Sequence, residues 1–303
     1  MKAWVHPILD HLGIDPSALL GKGSEAHVFA LDDARVVRVA DPRTPRAYLE
    51  RLAAFQATLD RAAVPFALPR ILELGAHAGQ LYTIEDRIPG EGMMDAVDRL
   101  TGGARADAIA GFTRAALALR DVGIAPAAFH RPLDAAGATF PTSSALLVAL
   151  VDRARTRAKP SLTEDIPSWE RAQARWRDEI GAVDAHVTPS LVHGDYFLGN
   201  AMCTPDGHVT GVVDFSNLTM IGDWRLDAVS ALLFLDQLPS FTPDDLAPAR
   251  EVLAPLMDDA FAQAYRLYRG FYALYYAPFA APDDPALYQW CRDVLAEPEW
   301  TRR

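Results

Sequence analysis

Lysine is almost missing. Only Lys2, Lys22 and Lys159 occur among 303 residues, and arginine supplies the other 26 basic side chains. Any chemistry between Lys22 and Lys159 that needs a cation must use an arginine. The two cysteines, Cys203 and Cys291, are too few for a disulfide framework or a four-thiolate zinc site. Both read as reduced, structural thiols. The eight histidines form no His-Glu-x-x-His pattern, so zinc hydrolysis of that kind is not expected. No apolar run reaches the roughly 18 residues of a spanning helix, so membrane insertion is not expected either. The start, Met1-Lys2-Ala3-Trp4, runs into His6, Pro7, Asp10 and His11 and does not read as a signal peptide. A cytoplasmic location is expected. Internal repeats and low-complexity tracts are absent.

What is there suits a globular chain of two modest domains or one large one: 50% hydrophobic and 23% charged residues. The net charge of -11 is unevenly spread. Residues 1–90 carry -1 and residues 91–303 carry -10. An acidic larger part repels nucleic acid and anionic membranes and favours cationic partners; solubility alone would also explain it.

The pattern changes near residue 90. Residues 3–20 form an amphipathic lead-in. Strand-like runs follow at 27–31, 35–40, 71–74 and 80–85, with one helix over 46–62 carrying Leu49, Leu52, Phe55 and Leu59 at helical spacing. Pro89-Gly90 closes this block. Beyond it, helices are expected at 105–122, 143–158, 168–186, 226–237 and 244–277, with one β interruption between Leu191 and Asp214.

Two segments carry chemistry. The first is Gly21-x-Gly23-x-x-Ala26. It fails the phosphate-loop pattern, because Gly13 lies too far upstream and Lys22 is followed by Gly23. It fails the dinucleotide-binding pattern, because a strand and a turn follow it where a helix should open. A two-stranded flap over nucleotide phosphates and an ordinary glycine turn remain. The second segment is His193-Gly194-Asp195-Tyr196-Phe197-Leu198-Gly199-Asn200. A strand feeds it, another leaves it, Asp206-Gly207 turns the chain, and Val209–Val213 returns to Asp214. This sets Asp195, Asn200 and Asp214 at neighbouring ends of one hairpin. Phosphoryl transfer needs such a set: one carboxylate to orient a hydroxyl and accept its proton, and a carboxylate with an amide to hold magnesium against phosphates.

With these residues the chain resembles the aminoglycoside phosphotransferase family, the antibiotic kinases of the protein-kinase-like fold. His193-Gly194-Asp195-x4-Asn200 is similar to that family's catalytic loop, and Val212-Val213-Asp214-Phe215 to its metal-binding strand end. Gly222-Asp223-Trp224-Arg225-Leu226-Asp227 is similar to the Gly-Asp-Pro-x-x-Asp that follows, with Trp224 in place of proline. The resemblance covers roughly Leu19 to Leu238.

The resemblance implies an α+β, two-lobed protein-kinase-like fold, with a small β-rich N-terminal lobe over 1–90 and a large helical lobe over 91–303. It implies ATP and magnesium as cofactors. Asp195 would be the catalytic base, and Asn200 and Asp214 would ligate magnesium. His193 would orient the loop, and Asp227 would brace it through hydrogen bonds or act as a plain helix cap. Gly21, Gly23 and Ser24 would form the flap over the phosphates. The family expects a cation on the third strand; with no lysine available, Arg38 takes that place, on the strand face opposite Val37 and Val39. Glu50 would be its partner. Tyr82 to Gly90 resembles the hinge, where backbone groups near Glu85 to Arg87 would meet the adenine edge.

Only 13 residues separate Asp214 from Asp227, with no Ala-Pro-Glu end, so a small-molecule hydroxyl acceptor is expected, not a polypeptide. The leading acceptor is cationic and aminoglycoside-like. A macrolide, a sugar, choline or homoserine are the alternatives. A catalytically silent nucleotide sensor is the rival reading, favoured by Arg38 alone. Asp236, Asp258 and Asp259 would grip amines or stand as solvated charges. The stripe Tyr265, Tyr268, Tyr272 and Tyr276 would form core or a sugar-stacking platform. The run Arg153, Arg155, Arg157, Lys159 reads as a solvated helix face.

Overall fold

Alternating apolar side chains build the small lobe. A short helix, α1 (His6–Leu12), precedes strands β1 (Leu19–Lys22), β2 (Ala26–Ala30) and β3 (Arg35–Ala40). Helix α2 (Arg46–Thr58) then leads to β4 (Ile71–His77) and β5 (Gln80–Asp86). The strands pair antiparallel in the order β1-β2-β3-β5-β4. Phe29, Val37, Val39, Tyr82 and Ile84 pack with Val5, Ile8 and Leu9 at α1. The opposite face carries Arg38, which lies across from Thr83 in the β3–β5 register. Helix α2 buries Leu49, Leu52 and Phe55. Phe55 meets Phe215 edge-on, with ring centroids 5.8 Å apart, and so ties the small lobe to the large one.

This computed structural model describes every residue except Met1, Ser24, Glu25, 124–127, 159–161, His186, 281–283 and 302–303. Ser24 and Lys159, both singled out above, lie outside the described residues.

The large lobe follows as β6 (Glu91–Gly92), α3 (Met93–Arg99), α4 (Gly102–Ala118), β7 (Phe129–His130), β8 (Thr139–Phe140), α5 (Ser143–Arg155), α6 (Leu162–Asp165) and α7 (Trp169–Glu179). Then come β9 (Ser190–Val192), β10 (Ala201–Cys203), β11 (Val209–Val212), β12 (Met220–Gly222), α8 (Arg225–Leu233), α9 (Leu246–Leu253), α10 (Asp259–Ala280), α11 (Pro285–Ala296) and α12 (Pro298–Thr301). Two small sheets, ordered β11-β10-β6 and β8-β7-β12-β9, sit among the helices. The whole is the expected two-lobed α+β fold.

The single helix expected over 244–277 is two. Pro255 lies in the 3-10 turn Ala254–Leu256, and Asp258 restarts the helix by accepting the Phe261 N–H at 2.8 Å. Helix α11 and the strands β7, β8 and β12 were not expected. The arginines of α5 are less free than a solvated face implies: Arg153 pairs with Asp134 at 3.3 Å, and Arg155 donates to Gln173 at 2.8 Å. Cys203 and Cys291 are buried free thiols, and burial pushes Cys203 up to about 11. Among the described residues, no helix is long and apolar enough to cross a membrane.

Trp169, Trp176 and Trp300 are fully buried against α10 and its neighbours. The Trp176 indole N–H donates to the Leu267 carbonyl at 2.9 Å. Gly270 leaves room for these rings: a Cβ there would stand 2.8 Å from Trp300 Cζ2 and 3.2 Å from Trp176 Cδ1. Alanine in an open helix site gains up to about 1 kcal/mol over glycine. Overpacking costs about 1–3 kcal/mol. Gly270→Ala should therefore lower the urea midpoint. Gly103→Ala in α4, where a Cβ meets nothing within 4 Å, should not.

Candidate active site

The segment after β9 is held by backbone-directed contacts from four sides. Gly194 has φ 83°, and a Cβ there would stand 2.2 Å from the Leu218 carbonyl oxygen. Only glycine fits. His193 is fully buried. Its Nε2 donates to the Val213 carbonyl at 2.8 Å, and its Nδ1 accepts the Asp195 N–H at 3.3 Å. Both ring nitrogens are used, so the ring orients the loop and leaves no lone pair for a substrate proton.

Asp227 is buried in the first turn of α8. Its Oδ2 accepts the His193 N–H at 2.6 Å and its Oδ1 the Gly194 N–H at 2.9 Å. It does not cap the helix, which begins two residues earlier. Asp223 accepts the Arg225 N–H at 3.0 Å instead. Asp223 also grips the Arg225 guanidinium and receives the Tyr268 hydroxyl. Trp224, at φ -54°, keeps the backbone that a proline there would impose.

Three further hydroxyls point at the same stretch. Thr219 donates to the His193 carbonyl at 3.2 Å and Tyr272 to the Gly194 carbonyl at 3.1 Å. Tyr276 donates to Asp195 Oδ1 at 2.7 Å. Asp223, Thr219, Tyr272 and Tyr276 were not assigned to the site from sequence. The tyrosine stripe was the available signal, but helical spacing alone does not say what the hydroxyls meet.

Asp195, Asn200 and Asp214 come together as the hairpin implies. Asn200 Nδ2 donates to the Asp195 carbonyl at 2.8 Å, and the Val213 N–H donates to the Asn200 carbonyl at 2.9 Å. Asp214 leaves β11 with φ 68°, in the left-handed region that aspartate tolerates better than most residues. Arg38 reaches it from β3, Nη1 to Oδ1 at 3.1 Å, while its Nε lies 3.4 Å from Glu85 Oε1. Burial opposes the Arg38 charge. Glu85 and Asp214 outweigh it and hold the guanidinium above its ordinary range.

One expectation is corrected. Glu50 is not the partner of Arg38. It stands exposed on α2, off the face of Leu49, Leu52 and Phe55, and faces Arg46 at 3.6 Å. Glu85 takes that place. Its side chain also receives the Thr83 hydroxyl at 2.5 Å. At the end of β5, which lies between β3 and β4, two backbone donors are taken. The Asp86 N–H donates to the Arg70 carbonyl at 3.0 Å and the Arg87 N–H to the Ala34 carbonyl at 2.8 Å. Gly21 and Gly23 do lie in a hairpin, β1–β2, where a Cβ would meet, among the described residues, at most the Ala26 carbonyl at 3.9 Å. That open space leaves room for a ligand beside the backbone.

Two of the acidic amine-gripping candidates stand far along α10. Asp258 and Asp259 open α10, roughly 25 Å along its axis from Tyr276. Asp236 follows α8 in a 3-10 turn, and burial lifts its carboxyl above the ordinary range.

The donor set suits a hard cation. Asn200 Nδ2 is committed to Asp195, which leaves its Oδ1 for a metal beside the Asp214 carboxylate. Among the described residues, no group of three His, Cys, Asp or Glu side chains could hold a metal. A metal here would rest on two side-chain oxygens, completed by water and phosphate, which is how magnesium is commonly bound.

Burial raises Asp227 from 3.8 to about 6, against the pull of His193 and the two backbone N–H groups. A folded value above the unfolded one means that the native chain gains a proton first as pH falls. From this group alone, stability is greatest below the unfolded value and declines as pH rises through 6. Asp227→Asn removes the titration. The stability of the native sequence relative to this variant should be greater at pH 4.5 than at pH 7 by roughly 2 kcal/mol. Urea unfolding of both at the two pH values checks it; an equal difference at both would refute the assignment.

Comparison with known proteins agrees with this fold. No curated protein matches the chain by sequence. Among solved structures it is similar to the apo form of a thermostable mutant of aminoglycoside phosphotransferase APH(4)-Ia, with TM-score 0.69, 17% identity and 96% of each chain covered. It is similar to the GDP complex of wild-type aminoglycoside 2'-phosphotransferase-IIIa, with TM-score 0.62, 17% identity, and 98% of this chain and 99% of that one covered. It is also similar to the streptomycin-ATP-APH(2")-IIa ternary complex, with TM-score 0.58, 16% identity, and 99% and 98% covered. At such identities the likeness establishes the shared fold. The model of the APH phosphotransferase enzyme family matches residues 18–275, most of the chain, and the protein belongs to that family.

Proposed function

We propose that this enzyme transfers the γ-phosphate of ATP to a hydroxyl of a small molecule, with Asp195 as the base. Family membership makes it a phosphotransferase acting on hydroxyl groups. The observation that carries the finer reading is the meeting of Asp195, Asn200, Asp214 and Arg38 across the two lobes. Residues 1–90 would serve as the nucleotide lobe and 91–303 would carry the catalytic loop and the acceptor site. The β1–β2 flap would cover the phosphates, and Arg38 would turn from its carboxylates to neutralise them.

Magnesium, held by Asn200 Oδ1 and Asp214, would neutralise phosphate charge when bound. Asp195 would align the acceptor hydroxyl and take its proton as the oxygen bonds to the γ-phosphorus and ADP leaves. The adenine edge would meet the chain past Arg87, because the donors before it are taken.

The acceptor proposed first is an aminoglycoside, as in the related complexes with streptomycin or kanamycin. Such an activity would confer resistance.

ADP release with magnesium and ATP, screened over aminoglycosides, macrolides and amino alcohols, tests the reading. Asp195→Ala should lose at least about 100-fold in turnover while still binding ATP. Asp214→Asn, which keeps the left-handed backbone, should weaken magnesium-nucleotide binding as well. Near-normal turnover by Asp195→Ala would remove the base assignment. ATP binding without turnover by the native chain would favour the silent sensor.

A further inference from the structure

We infer that Tyr276 is a positioning residue for the catalytic base, fixing Asp195 so that one carboxylate oxygen remains for the acceptor hydroxyl. The inference rests on Asp195 being that base.

Tyr268, Tyr272 and Tyr276 stand four residues apart on α10, so their rings line one face about 6 Å apart along the axis. Each hydroxyl reaches the catalytic segment or its brace: Tyr268 to the Asp223 carboxylate, Tyr272 to the Gly194 carbonyl, Tyr276 to Asp195 Oδ1. The first two tyrosines are fully buried, and a buried hydroxyl must find a partner. Tyr276 is half-buried, and the partner of its hydroxyl is the Asp195 carboxylate itself.

The ring is held from three sides. It stacks on Tyr272 at 5.8 Å and 10°, and meets Phe234 at 6.1 Å and Tyr275 at 5.4 Å, both edge-on. Burial, then the charge of Asp195, keeps the phenol protonated well above its ordinary range, so it remains a donor. A carboxylate on a single Cβ–Cγ bond swings unless one oxygen is fixed. Tyr276 fixes Oδ1 and leaves Oδ2 for the acceptor. A misplacement of about 1 Å in such a group costs roughly 100-fold in rate.

The test compares Tyr276→Phe with Asp195→Ala and with Tyr288→Phe, which removes a tyrosine–aspartate bond distant in sequence, to Asp165 at 3.0 Å. ADP release is measured with magnesium-ATP, using kanamycin, streptomycin or water alone as acceptor. Phenylalanine keeps the stacked ring. Tyr276→Phe should keep its melting temperature within about 2 °C and its KM for ATP within about twofold, while kcat falls about tenfold or more. Tyr288→Phe should match the native chain. An inactive Asp195→Ala beside a Tyr276→Phe of native kcat overturns the Tyr276 role and leaves the base in place. Turnover by Asp195→Ala equal to the native chain, including none by either, removes the base and this inference together. A kcat loss that comes with a large fall in melting temperature makes the bond merely structural. Phosphate found on Tyr276 by mass spectrometry would make it an acceptor and overturn the positioning role.

Discussion

The loop after β9 depends on one buried carboxylate. Asp227 sits out of water and must find donors, because an unpaired buried charge costs several kcal/mol. Two consecutive backbone N–H groups supply them, and consecutive N–H groups converge on one acceptor only when the chain turns sharply. Gly194, with its left-handed backbone and no room for a Cβ, permits that turn. The position of Asp227 in the first turn of α8 adds the favourable end of the helix dipole. The glycine, the helix start and the carboxylate therefore form one arrangement. His193 extends it to Val213 and so fixes where Asp214 begins.

The second constraint joins the lobes. Strand alternation turns Val37 and Val39 to α1 and Arg38 to the cleft. A lysine there would offer one point charge. The forked guanidinium reaches two carboxylates at once, Glu85 on its own sheet and Asp214 on the other lobe. In most of the fold an arginine for lysine would be a modest change. Here the internal partner is Glu85 on the neighbouring strand and not Glu50 on α2.

Much of this was legible in the sequence because the deciding signals are local. Asp195, Asn200 and Asp214 fall on one hairpin of about 20 residues, and the β-to-helix change near residue 90 shows as a change of period. The partner of Arg38 was not legible. Glu50 and Glu85 are both glutamates on elements beside β3, and only the tertiary packing shows which of them reaches Arg38. The commitment of the Asp86 and Arg87 donors was hidden for a similar reason. That β5 lies between β3 and β4, and so has no spare donors at its end, follows from strand order, which strand patterns do not state. The tyrosine stripe on α10 reads as core by its spacing. Its hydroxyls meet residues 45 to 81 positions away, and no periodicity carries that information.

The scarcity of lysine has a consequence for chemical probes. Reagents that capture kinases by acylating or sulfonylating the amine beneath the nucleotide phosphates need a nucleophilic nitrogen. Arg38 stays protonated, and its guanidinium does not attack such electrophiles. The nearest amine in sequence is Lys22, exposed on the flap. Amine-directed labelling would therefore mark the β1–β2 hairpin and leave Arg38 on β3 untouched, which would separate this enzyme from lysine-bearing kinases in a mixed sample.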